Sequence, residues 1–197
     1  MKNVLATLTV AAHAPLALAA LTSFTTPAAL EGFVGSPLAL VPDDGLPVGT
    51  LYGSGATPLL TPYGPMSFAP VHTKVAPGIY HPFTLAPLAG SDVVAPAGAV
   101  AMDFLFTPLA PVSFAFGAIG SLTTATPVVT PVLTPGVPYY VGFAATGESI
   151  TMITIATVPF GTTPAMTWDI SAIRVLPAPH ASIMLALAAT LATRRRR

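Results

Sequence analysis

Through the middle of the chain, short stretches rich in Val, Ile, Phe, Tyr and Thr alternate with clusters of Gly, Pro, Ser and Asp, the pattern of strands and turns rather than of helices. It predicts strands at residues 66–69, 100–106, 112–119, 139–144, 149–157 and 168–175, and loops at 53–65 and 123–138. In the fifth of these, Ile150 and Ile153 fall out of strict alternation, which either a strand covered on both faces or a β-bulge would explain. Pro108, Pro111, Pro127, Pro131, Pro135, Pro138, Pro159 and Pro164 cannot donate a ladder hydrogen bond, so they mark strand ends or edges. Short strands broken by turns, with no periodic sequence for crossover helices, predict an all-β fold: an antiparallel β-sandwich or jelly-roll-like domain over residues 20–176.

The two ends differ from this body. Met1-Lys2-Asn3 followed by the apolar stretch 4–18 has the layout of a secretory signal helix, and Ala17 and Ala19 are the small residues a signal peptidase reads, placing the cut after Ala19. At the other end a turn-rich segment precedes the apolar run 181–193, and the sequence finishes on Arg194, Arg195, Arg196 and Arg197. As a helix that run spans only about 20 Å, short of the ~30 Å hydrocarbon core, so it predicts a transient rather than a permanent anchor. Arginines resist translocation, so such a cluster stays cytoplasmic while the body lies outside.

Charge narrows the function classes. Only 7% of the 197 residues are charged. Between residues 20 and 180 the cations are Lys74 and Arg174, against Glu31, Asp43, Asp44, Asp92, Asp103, Glu148 and Asp169. A weakly acidic body has no electrostatic footprint for a phosphate backbone, so nucleic acid is not an expected partner. The chain has no cysteine, which excludes disulfides and thiolate chemistry. His72, His81 and His180 stand in no motif that joins a nucleophile to a base and an orienting acid, and neither a Gly-x-Ser-x-Gly nor a His-Glu-x-x-His occurs, so no enzyme is expected. No cofactor is expected either. The one metal reading is a structural calcium on Asp43, Asp44, Asp103, Glu148 and Asp169, set against the plainer reading of solvated turn carboxylates. A carbohydrate-binding module, with Tyr63, Tyr80, Tyr139, Tyr140 or Trp168 as sugar platforms, is the alternative function, set against those rings being core.

Pro177-Ala178-Pro179, then Ala181-Ser182, an apolar run and a terminal arginine cluster resemble the PEP-CTERM sorting tail of Gram-negative exported proteins, with Ala178 where that family's motif carries glutamate. The body adds to the resemblance: residues 44–50 and 63–68 look like the opening of sandwich domains common in that family, 112–117 and 141–147 like their middle strands, and 168–173 like the last strand before the tail. The resemblance implies three parts: a signal peptide at 1–19, a sandwich at 20–176 and a sorting tail at 177–197. It also implies export through the inner membrane, an exosortase-type protease acting near the motif, and a final place at the cell surface or in an exopolysaccharide matrix.

Overall fold

The computed structural model describes residues 18–53, 56–83, 90–158 and 168–178. The chain opens with β1 (Ala20–Phe24) and a short helix, α1 (Pro27–Val34). It continues through β2 (Ala39–Leu40), β3 (Leu51–Tyr52), β4 (Leu59–Thr61), β5 (Gly64–Ala69), β6 (His72–Ala76), β7 (Ile79–Pro82) and β8 (Gly90–Val94). The remaining strands are β9 (Ala99–Pro108), β10 (Ser113–Gly120), β11 (Val128–Val129), β12 (Tyr139–Thr146), β13 (Ile150–Val158) and β14 (Trp168–Pro177). They form two sheets: one ordered β1-β12-β9-β14-β7-β6-β3, with β2 also on β14, and one ordered β11-β10-β13-β8-β5-β4. Every strand pairing in both is antiparallel, and the body is an all-β sandwich.

The core lies between the sheets. Phe106 of β9 meets Phe114 and Phe116 of β10 edge-on at centroid distances of 4.6 and 5.0 Å, and Trp168 of β14 packs against Phe106 and Phe114. Alternation explains this layer, since successive side chains of a strand point to opposite faces: Met102, Phe104 and Phe106 enter the main core. Ala101, on the other face, joins Leu30, Leu38 and Ala144 in a smaller cluster beneath α1. The helix itself follows from local signals: Thr26 is extended and accepts the Ala29 N–H through its hydroxyl, Pro27 opens the first turn, and Gly35 closes the last at φ 70°.

All six predicted strands are present. The expected loop at 53–65 instead holds β4 and the start of β5, a tight hairpin, and the expected loop at 123–138 contains β11. Both were hidden by length, because two- or three-residue strands between prolines leave no period to read. A bulge accounts for Ile150 and Ile153: Met152 pairs with Ile119 but Ile150 with Gly120, leaving Thr151 as the extra residue. Thr151 donates its hydroxyl to the Ile119 carbonyl (2.8 Å) and accepts the Ala95 N–H (2.9 Å). A second irregularity lies in β14, where the β9 register shifts between Ser171 and Arg174 and Ala172 sits at φ 49°. The other edge of β14 is shared there, pairing with β7 at Ile170–Ser171 and with β2 at Arg174–Val175.

The expected signal helix and C-terminal apolar helix fall on residues outside those described, save Leu18 and Ala19, which lie in coil just ahead of β1. Among the described residues, no helix is long and apolar enough to cross a membrane.

Candidate functional site

Most charged side chains in a body so poor in charge are taken up by a partner. Arg174, on β14, is the largest hub: its Nε and Nη2 bind the two oxygens of Asp103 at 2.9 and 2.5 Å, and its Nη1 reaches Glu31 of α1 at 2.6 Å. Asp103 is 1% exposed, and it also accepts the Tyr140 hydroxyl at 2.7 Å. The Asp103 bond holds the Arg174 guanidinium above its ordinary range despite burial, and burial together with that same carboxylate raises the Tyr140 phenol. The planar, bidentate pair with Asp103 ties β14 to β9, and the single bond to Glu31 ties the sheet to α1.

The second hub is Lys74 on β6. Its ammonium lies 2.5 Å from Asp43 and 3.1 Å from Asp44 and donates to the Leu46 carbonyl at 2.8 Å. Asp44 accepts the Tyr52 hydroxyl (2.6 Å), and Asp43 accepts the Gly78 N–H (3.3 Å). The bond to Lys74 lowers Asp43, and the bond to Asp43 raises Lys74. For Asp44, burial pushes upward but the Tyr52 and Lys74 bonds outweigh it, leaving the carboxyl lowered. This cluster pins the 43–50 segment across the β6–β7 hairpin.

Two further carboxylates are also engaged. Asp169 binds His81 Nδ1 at 2.9 Å, joining β14 to β7. Glu148 accepts the N–H groups of Leu122 and Thr123 at 2.8 and 3.0 Å and the Thr123 hydroxyl, and these bonds lower its pKa against the effect of burial. Asp43, Asp44, Asp103, Glu148 and Asp169 are therefore not gathered into a calcium site. They sit in four places facing cations, a histidine or backbone amides, and among the described residues no three His, Cys, Asp or Glu side chains group to hold a metal.

The aromatic candidates are distributed in the same way. Tyr80 and Trp168 are core residues, Tyr80 meeting Tyr52 edge-on at 5.3 Å. Tyr139 stacks on Phe116 at 5.9 Å, Tyr63 is half-buried against the core, and the Tyr140 hydroxyl is held by Asp103. They do not share one exposed face.

Strand register places the start of β1 and the finish of β14 at one end of the sheet. Ala20 pairs with Thr146, Ala144 with Ala101, and Ala99 with Pro177, so β1 begins and β14 finishes at the same end of the first sheet. Pro177 is the last residue of β14, and the Ala178 N–H donates to the Gly98 carbonyl at 2.8 Å. The first two residues of the Pro-Ala-Pro motif thus complete the sandwich rather than follow it. Beside them, Phe33 and Val34 of α1 face Val100, Ala145, Leu176 and Pro177 across a groove of about 560 Å³. Ala17, Pro179, Ala181, Ser182 and Arg194 to Arg197 lie outside the described residues.

The hubs Lys74 and Arg174 were missed as organising residues from the sequence. Their signal was scarcity: two cations among seven carboxylates between residues 20 and 180 are bound to be claimed once buried. Comparison with family models, with curated proteins and with solved structures gives no match to this chain.

Proposed function

We propose that the chain is an exported, non-enzymatic protein of the cell surface or extracellular matrix, sorted through its C-terminal tail and trimmed at both ends around a self-sufficient sandwich. The observation that carries this reading is where the processing points fall. Ala19 lies in coil immediately before β1, and the strand pairing of β14 is complete at Pro177, with Ala178 making the last backbone bond described. Among the described residues, cuts after Ala19 and near Pro179 remove no strand and no buried side chain. The partners are the export machinery and an exosortase-type membrane protease, with exopolysaccharide as the surrounding matrix. The binding of charged side chains to one another and to backbone amides also supports a structural role, because these groups are spent on holding the sandwich together.

Mass spectrometry of the protein made in a host that has such a protease tests the reading. The mature form is expected to begin at Ala20 and to end close to Pro179, and Ala178→Glu is expected to speed the second cut. A released protein that retains Arg197 would refute sorting by cleavage.

A further inference from the structure

The end of the sandwich at which β1 begins and β14 finishes is also capped by turns from the second sheet. Gly120 lies opposite Ile150 and Met152 opposite Val94, so the segments 121–124, 147–149 and 95–98 crown the same end as Ala20, Thr146, Ala99 and Pro177. The C-terminus of α1 joins them, since Val34 shares the groove with Ala145 and Pro177. Within 33–36, 95–98, 121–124, 147–149 and 177–178 the one charged residue is Glu148, and its carboxylate is turned onto the amides of Leu122 and Thr123. Two large apolar side chains project from this rim, Phe33 at 51% and Leu122 at 73% exposure.

The reach of the chain decides which end meets a bilayer. Three residues separate Pro177 from the first residue of the apolar run, Ala181, so the four steps between them span at most about 14 Å. The far end of the ten-residue strand β14, at Trp168, is roughly 30 Å further away. An apolar run that enters lipid therefore draws the Pro177 end against the surface. The one ion of this rim, the Glu148 carboxylate, is already bonded to two backbone amides, which lowers the cost of bringing it to the interface, and phenylalanine and leucine are side chains that partition there.

We propose that this end is a lipid-docking face, with Phe33 and Leu122 entering the headgroup boundary while the tail holds the chain to the membrane. The proposal rests on the membrane-tail reading above and adds to it a fixed orientation of the body.

The absence of cysteine allows a direct test, because one introduced thiol can be labelled uniquely. Full-length F33C, L122C and V132C proteins, each carrying an environment-sensitive fluorophore, are mixed with vesicles of phosphatidylcholine and phosphatidylglycerol containing brominated lipid. Val132 serves as the reference for the opposite end: it is 63% exposed and adjoins Leu133, whose N–H bonds the Val112 carbonyl before β10 begins. Quenching is expected to be severalfold stronger at 33 and 122 than at 132. Vesicle-bound protein with no quenching at any position, or with quenching at 132 instead, would overturn the docking face while leaving the tail as an anchor. Protein that stays in the supernatant with every vesicle would overturn both.

Discussion

Replacing Asp103 by alanine removes the acceptor on which three side-chain bonds converge: two from Arg174 and one from Tyr140. Breaking a buried ion pair from one side costs about 3–5 kcal/mol, because the surviving charge stays buried without its partner. Here Arg174 is 23% exposed and keeps Glu31, which places the expected loss near the low end, about 3 kcal/mol. For a domain of this size that corresponds to a fall in Tm of roughly 6–12 °C. Urea unfolding, with the slope m unchanged, measures it. The double variant D103L/R174M is the sharper test. It removes both charges and fills the space with apolar atoms, so it is expected to lie within about 1 kcal/mol of the parent. A single-variant loss below about 1 kcal/mol would refute the reasoning, as would single losses that simply add in the double variant to within about 0.5 kcal/mol.

Acid should weaken the fold in two steps. His72 is fully buried, stacked on Phe68 at 4.5 Å with Nδ1 bonded to the Pro70 carbonyl, while its Nε2 has no partner among the described residues. Burial lowers its pKa to about 4, below the ordinary histidine value, so the unfolded chain takes up the proton first and stability falls as pH drops from about 6.5 to about 4, by on the order of 3 kcal/mol in all. His72→Phe is expected to flatten that part of the pH–stability curve, and an unchanged slope would count against it. Asp43, Asp44 and Glu148 are lowered in the folded state, so their contribution is present above the unfolded carboxylate range and is lost as pH falls through their folded values. Phe106→Ala, which empties the centre of the ring cluster, is expected to cost about 3–5 kcal/mol in denaturant unfolding, and a loss under about 1 kcal/mol would mean that the site collapses freely. Gly120→Ala should destabilise the 121–123 turn, because a Cβ there would clash with the Glu148 carboxylate that holds it, and the thermal midpoint should show the loss.

Local pattern carried the fold class, and the reason is physical: a half-buried strand must alternate, and alternation is written residue by residue. Thus β5, β9, β10, β12, β13 and β14 were legible from Phe68, Phe104, Phe114, Val141, Ile153 and Ile170 and their neighbours. The short strands were not, for reasons that can be named. In β6 the two inward residues are His72 and Lys74, both polar by type, and β8 opens on Gly90-Ser91-Asp92, which reads as a turn. Helix α1 did carry its signals, Thr26-Pro27 and Gly35, in a segment too short to show a period.

The sequence by itself determined the sandwich class, the apolar and basic layout of the two ends, and the poverty of charge between them. The tertiary structure alone decided what the charges do and where the first and last strands of the body lie. The partners of Arg174 are 71 and 143 residues away, and nothing local to Asp103 or Glu31 announces them. The placing of Ala20 and Pro177 at one end requires the whole chain of registers through β1, β12, β9 and β14, because antiparallel pairing reverses direction at each step. Periodicity is a property of neighbours along the chain, whereas ion pairing and the placing of the first and last strands depend on which strands lie side by side.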